Sequence, residues 1–294
     1  MTNLDGWTIG FIGLGLMGKP MCRNLQKAGA HVIVHNRSQA PVDELAAEGM
    51  EPAQGPADVA AKADIVIMML TNTPAVEAVL LGSGGVIESV RRGSLIVDMG
   101  TTKVLSTRDY AENVRAKGGD YIDAPVSGGA VGAKAGNLTI MAGGSDDAMA
   151  RIQPVFDVLG AKTTHIGAVG AGQVAKAANQ VIVGLTIGAV AEAFTLARKA
   201  GADPALVRQA LQGGFADSRI LELHGQRMID GAFEPGGRSS VQRKDLDQAL
   251  ELAGTFDLEL PATSLCRDLF DKLIEAGHGD LDHSALIKAI DPNA

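Results

Sequence analysis

The first half of the chain alternates short apolar runs with stretches in which apolar residues recur every three or four positions. Runs such as "TIGFIGLG", "HVIVHNR", "ADIVIMML" and "GSLIVDMG" predict buried β-strands, and "GKPMCRNLQKAGA" predicts a helix that ends near Gly29. Strands that alternate with helices indicate a parallel sheet covered on both faces, with right-handed crossovers.

The pattern changes after about Lys162, where the strand signals end. The stretch 170–201 predicts one long helix that is apolar on nearly every face and therefore buried. Shorter helices follow, with Asp203, Pro204, Pro261 and Asp282 as capping or first-turn residues. We therefore expect an α/β fold of two domains. We expect residues 1–163 to form an α/β domain, and residues 164–294 to form an all-helical domain, begun by the long interdomain helix, for substrate binding or oligomerisation.

Composition excludes several classes of partner. Of the 294 residues, 46% are hydrophobic, which suits a soluble globular protein with a large core. The net charge of −8 makes nucleic acid and anionic membrane surfaces poor partners, and aromatic residues at 3% are too scarce for base stacking. The longest uncharged run, 177–191, is short for a membrane span.

The cysteines, the histidines and the N-terminus narrow the chemistry further. Cys22 and Cys266 make no disulfide framework, so we expect two buried thiols and a cytoplasmic protein. The N-terminal "MTNLDGW" lacks the basic region of a signal peptide. The six histidines show no HxH spacing and the chain has no pair of neighbouring cysteines, so we expect no metal site. The cluster of His278, Asp280, Asp282 and His283 is interpreted as capping and loop chemistry.

A glycine-rich loop directly follows the first predicted strand and opens the first helix. Gly13, Gly15 and Gly18 have the spacing G-x-G-x-x-G. In a dinucleotide-binding unit the first glycine allows the tight turn, the second lets the backbone approach the pyrophosphate, and the third lets helix and strand pack. A structural glycine turn is the alternative, but the strand and helix on either side favour a dinucleotide. The sequence therefore predicts that residues 1–163 are a Rossmann-type dinucleotide-binding domain. The predicted cofactor contacts are Gly13, Leu14, Gly15, Leu16, Met17 and Gly18.

The end of the second strand, "VHNRS", bears on the choice between the two nicotinamide dinucleotides. An NAD-binding unit usually places Asp or Glu here for the ribose 2′-hydroxyl. This chain has the neutral Asn36, followed by Arg37 and Ser38, which can hold a 2′-phosphate. The sequence therefore favours NADP and leaves NAD possible. In the alternative interpretation, Arg37 stacks on the adenine or lies in solvent.

Two further stretches offer groups for a small anionic substrate. On the long helix, one face carries Gly172, Gln173, Lys176, Asn179 and Gln180. A lysine is costly to bury without a role, although one near a helix end can also extend its ammonium group into solvent. In "DAPVSGG", the hydroxyl of Ser127 and the main-chain N–H groups of Gly128 and Gly129 can hold a carboxylate, or can form an ordinary tight turn.

A charge pair in the second half is less informative. Lys244 and Asp245, in "QRKDLDQAL", are expected to open a helix as part of a solvated face.

Together these stretches resemble the β-hydroxyacid dehydrogenase family. The resemblance rests on "GFIGLGLMGKPMCRNL", "DAPVSGG", "GAGQVAKAANQ", "RKDL" and "DHSAL", in this order along nearly the whole chain. Two other stretches, "GGFADSRILELHGQRMI" and "NQVIVGLTIGAVAEAFTLA", are most similar to the tartronate semialdehyde reductases of that family.

The resemblance implies a role for each site residue. Lys176 matches the catalytic lysine, a general acid and base, and Ser127, Gly128 and Gly129 match the loop that binds the substrate carboxylate. Asn179 and Gln180 match an amide pair that contacts substrate, although relatives often have two asparagines there. Cofactor contacts are implied for Leu70, Thr71, Thr101 and Lys244. Relatives often carry proline at the position of Thr71 and serine at that of Gly100.

The implied activity is reversible hydride transfer between a nicotinamide cofactor and a small semialdehyde acid or β-hydroxyacid, with tartronate semialdehyde, glyoxylate or succinic semialdehyde as typical substrates. A homodimer or homotetramer is expected. Two alternatives stay open: an NAD-preferring dehydrogenase of 3-hydroxyisobutyrate or L-threonate, and a non-catalytic dinucleotide-binding module.

Overall fold

The computed structural model describes residues 2–293, which divide into two compact units. The first unit extends to Lys176 and the second begins at Ala177. The boundary expected from the sequence, between residues 163 and 164, falls inside a strand of the first unit, Gly160–Gly167.

The first unit contains the β-sheet, and the longest helix begins in it. The strands are β1 (Thr8–Ile12), β2 (His31–His35), β3 (Glu51–Pro52), β4 (Ile65–Met68), β5 (Leu95–Asp98), β6 (Asp120–Asp123), β7 (Val126–Ser127), β8 (Leu138–Gly143) and β9 (Gly160–Gly167). The helices are α1 (Gly18–Lys27), α2 (Ala40–Ala47), α3 (Pro56–Lys62), α4 (Thr73–Leu81), α5 (Val104–Ala116), α6 (Gly129–Ala135), α7 (Asp146–Leu159) and α8 (Ala171–Lys199), with a 3₁₀ turn at Val86–Glu88.

The second unit is helical throughout its described residues. After α8 come α9 (Pro204–Leu211), α10 (Arg219–Asp230), α11 (Ser239–Gly254), α12 (Pro261–Leu273) and α13 (Ile287–Ile290), with a π turn at Ile274–His278 and a 3₁₀ turn at His283–Leu286. Asp203 caps α9 and Asp282 caps the 3₁₀ turn through their side chains, as the sequence predicted. The expected order of an α/β Rossmann-type domain and a helical domain is confirmed.

The strand order places the carboxyl ends of the central strands beside the glycine loop. The order is β3-β2-β1-β4-β5-β6-β8-β7, with β9 paired to β8. Pairing is parallel from β3 to β6, and β8 runs antiparallel to β6 and β7. From β1 to β3, successive strands are added toward one edge of the sheet, and from β4 onward they are added toward the other edge. The strand order therefore reverses beside β1. In open α/β sheets a ligand binds in the crevice outside the carboxyl ends of the strands at such a point.

Alternation along the strands gives the sheet an apolar layer on each face. In β4, Ile65 and Ile67 pack in one core cluster, whereas Val66 and Met68 pack in the other. All four side chains are buried because successive residues of a strand point to opposite faces and helices cover both. The continuous apolar runs of the sequence follow from this double coverage.

Elements of the first unit that the sequence analysis did not predict include β9 and α6. β9 begins at Gly160 and extends past the point near Lys162 where the strand signals end, and none of its eight residues is buried. It is recognisable only by its pairing with β8, because an exposed edge strand needs no apolar alternation. The glycine- and alanine-rich α6 lacks the apolar periodicity that identifies a helix.

The long helix α8 is only partly buried. Ile187 and Phe194 are fully buried, but Ile182 and Leu196 are 65% and 72% exposed. The expectation of a helix buried on nearly every face is therefore wrong, since apolar composition does not specify which side packs. Among the described residues, α8 is also the one helix long and apolar enough to cross a membrane, a test that core helices of soluble proteins pass as well.

Both cysteines are free and buried, as predicted. Cys22 lies on α1 and Cys266 on α12. Burial raises the pKa of the Cys22 thiol well above its ordinary value, and it raises the pKa of Cys266 to about 11.

Candidate functional site

The glycine loop between β1 and α1 has two glycines that packing requires and one that leaves space. A Cβ on Gly13, where φ is +103°, would lie 2.4 Å from the carbonyl oxygen of Met69, and one on Gly18 would lie 1.9 Å from that of Gly13. A Cβ on Gly15 would meet nothing within 4 Å. The open side of this loop therefore lies at Gly15, the glycine at which the sequence predicts approach to the pyrophosphate. The residues present fit a dinucleotide.

Asn36, at the end of β2, holds the glycine loop in place. Its Oδ1 accepts a hydrogen bond from the main-chain N–H of Leu14 at 3.0 Å. Its Nδ2 donates to the carbonyl oxygen and the hydroxyl of Ser38, at 3.1 and 2.8 Å. Arg37 is exposed, and within residues 2–293 its side chain has no hydrogen-bond or ion-pair partner. The Asn36 amide thus shapes the loop, while the guanidinium group stays open to solvent.

The segments that follow β4 and β5 come together at the same edge of the sheet. A Cβ on Gly100 would lie 2.5 Å from the carbonyl oxygen of Leu70. A serine at this position would therefore need the segment to shift. Leu70 and Thr101 are half-buried and Thr71 is exposed. The structure brings Leu70 and the segment 100–102 side by side, as expected of residues that line one ligand.

A buried carboxyl group organises the segment after β5. Asp98, which is fully buried, accepts hydrogen bonds from the main-chain N–H of Gly100 at 2.9 Å and from the hydroxyl of Thr102 at 2.6 Å. The sequence alone did not single out Asp98, which reads there as the polar end of an apolar strand.

A second buried carboxyl group caps the start of α8. Asp123, at the end of β6, accepts hydrogen bonds from the main-chain N–H groups of Gly170 and Gln173 at 2.7 and 2.8 Å. Burial raises the pKa of Asp123 to about 7, and the two N–H donors oppose this rise. Asp123 belongs to "DAPVSGG", but the sequence does not show its role, because its hydrogen-bond partners lie 47 and 50 residues later.

Lys176 points into the first unit. Its side chain is buried, with 7% of the residue exposed, and its Nζ donates a hydrogen bond to the carbonyl oxygen of Val126 at 2.8 Å. The alternative in which the ammonium group extends into solvent is therefore wrong. Since Val126 immediately precedes Ser127, the structure brings the predicted lysine to the predicted carboxylate loop.

The loop after β7 exposes main-chain groups at two successive glycines. Ser127 is half-buried, and Gly128 and Gly129 are exposed. Gly128 and Gly129 have φ angles of +133° and +59°, which residues other than glycine rarely adopt. This conformation leaves the main chain there uncovered.

In the second unit, Gln180 belongs to a buried amide network between α8 and α11. Its Nε2 donates to Gln242 Oε1 at 3.1 Å and to Asp245 Oδ2 at 2.6 Å, and its Oε1 accepts from Asn179 at 2.7 Å. Both ends of the Gln180 amide are therefore engaged within the protein. Asn179 is half-buried, and its side-chain carbonyl oxygen has no hydrogen-bond donor among residues 2–293.

Lys244 lies in the second turn of α11, next to Asp245. The expectation that these two residues open the helix is wrong, because α11 begins at Ser239. The Nζ of Lys244 lies 2.7 Å from Asp245 Oδ1, and the side chain of Asp245 is 3% exposed. The pair joins a half-buried lysine to a buried carboxylate and is not a solvated face.

The predicted capping cluster near the C-terminus includes a histidine that is distant in sequence. His224 Nε2 lies 3.2 Å from His283 Nε2, and His224 Nδ1 lies 3.6 Å from Asp282 Oδ1. Asp282 also accepts hydrogen bonds from Arg227, Gly236 and Ser284. Burial acts to raise the pKa of Asp282, but His224, His283 and the Ser284 donors outweigh it and hold it well below its usual range. His224, Asp282 and His283 lie close enough together to hold a metal ion. The Asp282 carboxylate, however, already accepts hydrogen bonds from protein donors.

Comparison with known proteins finds matches over nearly the whole chain. Residues 8–167 match the NAD-binding domain of 6-phosphogluconate dehydrogenase, and residues 170–290 match the NAD-binding domain of NADP-dependent 3-hydroxyisobutyrate dehydrogenase. The 2-hydroxy-3-oxopropionate reductase of Escherichia coli is 46% identical over 96% of this chain and 97% of its own. The chain belongs to the β-hydroxyacid dehydrogenase family.

Solved structures share this fold. The 3-hydroxyisobutyrate dehydrogenase of Mycobacterium tuberculosis, described with L-serine, is 31% identical, with a TM-score of 0.88 over 97% of this chain and 99% of its own. A protein named Psf3, described with NADP+ and 2-OPP, is 25% identical, with a TM-score of 0.90 over 96% of this chain and 100% of its own. As a β-hydroxyacid dehydrogenase, the chain is an NAD(P)-dependent oxidoreductase.

Proposed function

We propose that this β-hydroxyacid dehydrogenase is a reductase of small semialdehyde acids, with tartronate semialdehyde as its preferred substrate and Lys176 as its general acid and base. The observation that carries the proposal is the buried Lys176 Nζ, which bonds to Val126 next to Ser127. The 46% identity to a 2-hydroxy-3-oxopropionate reductase, another name for tartronate semialdehyde reductase, supports the choice of substrate. A non-catalytic module would need neither a buried lysine nor a serine beside it.

In the first unit, separate residues bind the substrate and donate the proton during reduction. Ser127 and the main-chain N–H groups of Gly128 and Gly129 bind the substrate carboxylate and so fix where its carbonyl group lies. The Lys176 ammonium group stabilises the charge that develops on the carbonyl oxygen and donates a proton to it. In the oxidation direction the neutral amine takes that proton back. A nicotinamide cofactor, when bound, supplies or accepts the hydride.

The cofactor is held by the loop 13–18 at the pyrophosphate and by Leu70, Thr71 and Thr101 around the nicotinamide, with Lys244 as a further contact. Asn179 contacts substrate, and Gln180 orients Asn179 through their hydrogen bond. The buried network around Gln180 supports this division, because its amide has both ends engaged.

NADP is the preferred cofactor in this proposal. Arg37 and Ser38 bind the 2′-phosphate, and Asn36 permits it because an amide carries no negative charge. The exposed, unpartnered guanidinium of Arg37 supports the proposal. The same exposure is compatible with an NAD-preferring enzyme in which Arg37 lies beside the adenine, so a 3-hydroxyisobutyrate or L-threonate dehydrogenase is the second candidate.

We further propose that the protein acts in the cytoplasm as a homodimer or homotetramer, without nucleic-acid or membrane partners. Two free thiols suit a reducing compartment. The exposed apolar side chains Ile182 and Leu196 of α8 suit contact with a second copy of the chain.

Initial rates test the proposal. NADPH and NADH are each offered with tartronate semialdehyde, glyoxylate, succinic semialdehyde and methylmalonate semialdehyde. We expect the highest kcat/KM for tartronate semialdehyde with NADPH. Highest kcat/KM with NADH and methylmalonate semialdehyde would favour the second candidate, and no turnover of any of the four would contradict the enzymatic proposal.

A further inference from the structure

Gln173 joins the start of α8 to the segment that follows β5. Its side chain is buried, with 2% of the residue exposed. Its Oε1 accepts a hydrogen bond from the main-chain N–H of Thr102 at 3.1 Å, and its Nε2 donates to the carbonyl oxygen of Gly100 at 2.9 Å. One amide thus bonds the main chain on both sides of Thr101.

The groups around this contact are themselves held in place. Asp98 bonds the main-chain N–H of Gly100 and the hydroxyl of Thr102 from the β5 side. Asp123 bonds the main-chain N–H of Gln173 from the β6 side. The segment 100–102 and the first turn of α8 are therefore fixed to the sheet and, through the Gln173 side chain, to each other.

Lys176 lies three positions after Gln173, so both side chains point to the same face of α8. Lys176 bonds to Val126 O, while Gln173 bonds to the segment that contains Thr101. We propose that Gln173 is a positioning residue that sets the place of the nicotinamide-binding segment 100–102 relative to the Lys176 ammonium group. This inference rests on the proposed function, in which Thr101 lines the nicotinamide and Lys176 donates the proton.

The two main-chain groups require a side chain that both donates and accepts a hydrogen bond at this position. A main-chain N–H and a main-chain carbonyl oxygen must both be satisfied, and only a side chain that donates and accepts can do so. A methionine of similar length does neither. A glutamate in its neutral form has one O–H donor and one carbonyl acceptor, so it can replace the amide, but its ionised form has only acceptors and repels Gly100 O.

The variants Gln173→Met and Gln173→Glu test this. Gln153 of α7, whose amide bonds the side chain of Asp157, provides the matched controls Gln153→Met and Gln153→Glu. Amide hydrogen exchange of residues 99–103 is measured in the cofactor-free protein, and kcat is measured with the best substrate from pH 5 to pH 9. Each variant is normalised to wild type at the same pH, since Asp98, Asp123 and Lys176 bond to the same segments in every protein compared.

In Gln173→Met we expect the amide hydrogens of residues 99–103 to exchange at least tenfold faster than in wild type. Its kcat should be at least tenfold lower than that of wild type at every pH. Gln173→Glu should approach wild type at low pH and fall to the level of Gln173→Met at high pH, in both measurements. A purely structural role would lower the melting temperature without giving this pH-dependent recovery of kcat. Unchanged exchange, or faster exchange with kcat within threefold of wild type, would overturn the inference.

Failure of the proposed function would be recognised separately. If wild type turned over none of the four acids, the reductase proposal would fail, and exchange with NADPH bound would decide the role of Gln173. NADPH should slow exchange of residues 99–103 in wild type and in Gln153→Met, but not in Gln173→Met. Equal protection in all three proteins would overturn the positioning role.

Discussion

The Lys176 ammonium nitrogen lies 2.8 Å from the carbonyl oxygen of Val126, the residue before Ser127. A charged group is retained in a buried position only where protein groups replace its water. The contact therefore fixes the ammonium group beside the loop that we propose binds the substrate carboxylate. The proposed proton donor and the proposed substrate anchor are therefore adjacent without any rearrangement of the chain.

Replacing Lys176 by alanine should remove the proton donor and leave the cofactor site intact. General acid–base groups typically contribute about 10²–10⁴ in rate, so kcat should fall by at least a hundredfold while the Kd for NADPH stays within about threefold. Steady-state kinetics and NADPH fluorescence titration measure the two. Lys162→Ala, at an exposed position of β9, is the control. If Lys176→Ala kept a tenth of the wild-type kcat, Lys176 would not be the general acid.

Ser127→Ala should impair binding of carboxylate substrates selectively. The lost hydroxyl donor to an ionised group is worth about 1.5–3 kcal/mol, so KM for tartronate semialdehyde should rise about tenfold or more. For an uncharged aldehyde of similar size the change should be less than twofold. Equal effects on the two kinds of substrate would show that Ser127 does not bind the carboxylate.

The double change Asn36→Asp with Arg37→Leu should weaken NADPH and strengthen NADH. A charge-assisted hydrogen bond to the 2′-phosphate is worth about 1.5–3 kcal/mol, which corresponds to a tenfold to hundredfold preference at about 1.4 kcal/mol per decade. The new carboxylate can still accept from Leu14 N, so the loop should keep its anchor. The ratio of kcat/KM for the two cofactors measures the switch.

Arg92→Leu, at another exposed arginine, is the control for that change. A double variant that retained the wild-type NADPH preference would show that Arg37 does not contact the phosphate.

Asp123→Asn should flatten the dependence of stability on pH between about 4 and 7. Burial raises the pKa of Asp123 to about 7 from an ordinary value of 3.8. Across that interval the folded chain binds a proton that the unfolded chain has released, so this group makes the free energy of unfolding decrease as pH rises and adds no further slope above pH 7. Urea unfolding of wild type and variant at pH 4.5, 5.5, 6.5 and 7.5 measures the difference. Parallel curves would contradict the prediction.

The residues that sequence reasoning identified are those whose chemistry is local. The glycine spacing after β1, the apolar runs of the sheet and Lys176 with the amides on one helix face can each be recognised within a dozen residues. Asp98 and Asp123 could not be, because a carboxyl at the end of a strand shows its role only when folding brings it a partner. For Asp123 those partners are Gly170 and Gln173.

The remaining differences have a similar cause. β9 pairs along an edge with polar residues exposed, so its strand character comes from β8 rather than from its own pattern. The Gln180 network depends on Gln242 and Asp245 of α11, and no spacing rule connects positions 62 and 65 residues apart.

The burial of both cysteines gives the protein a practical use in labelling experiments. Maleimides and other thiol reagents react with exposed thiolates, and at neutral pH neither Cys22 nor Cys266 offers one. A cysteine introduced at an exposed position, such as Lys117→Cys, would therefore be the thiol that reacts rapidly. A fluorophore or spin label can be attached at one chosen point without first removing the native cysteines.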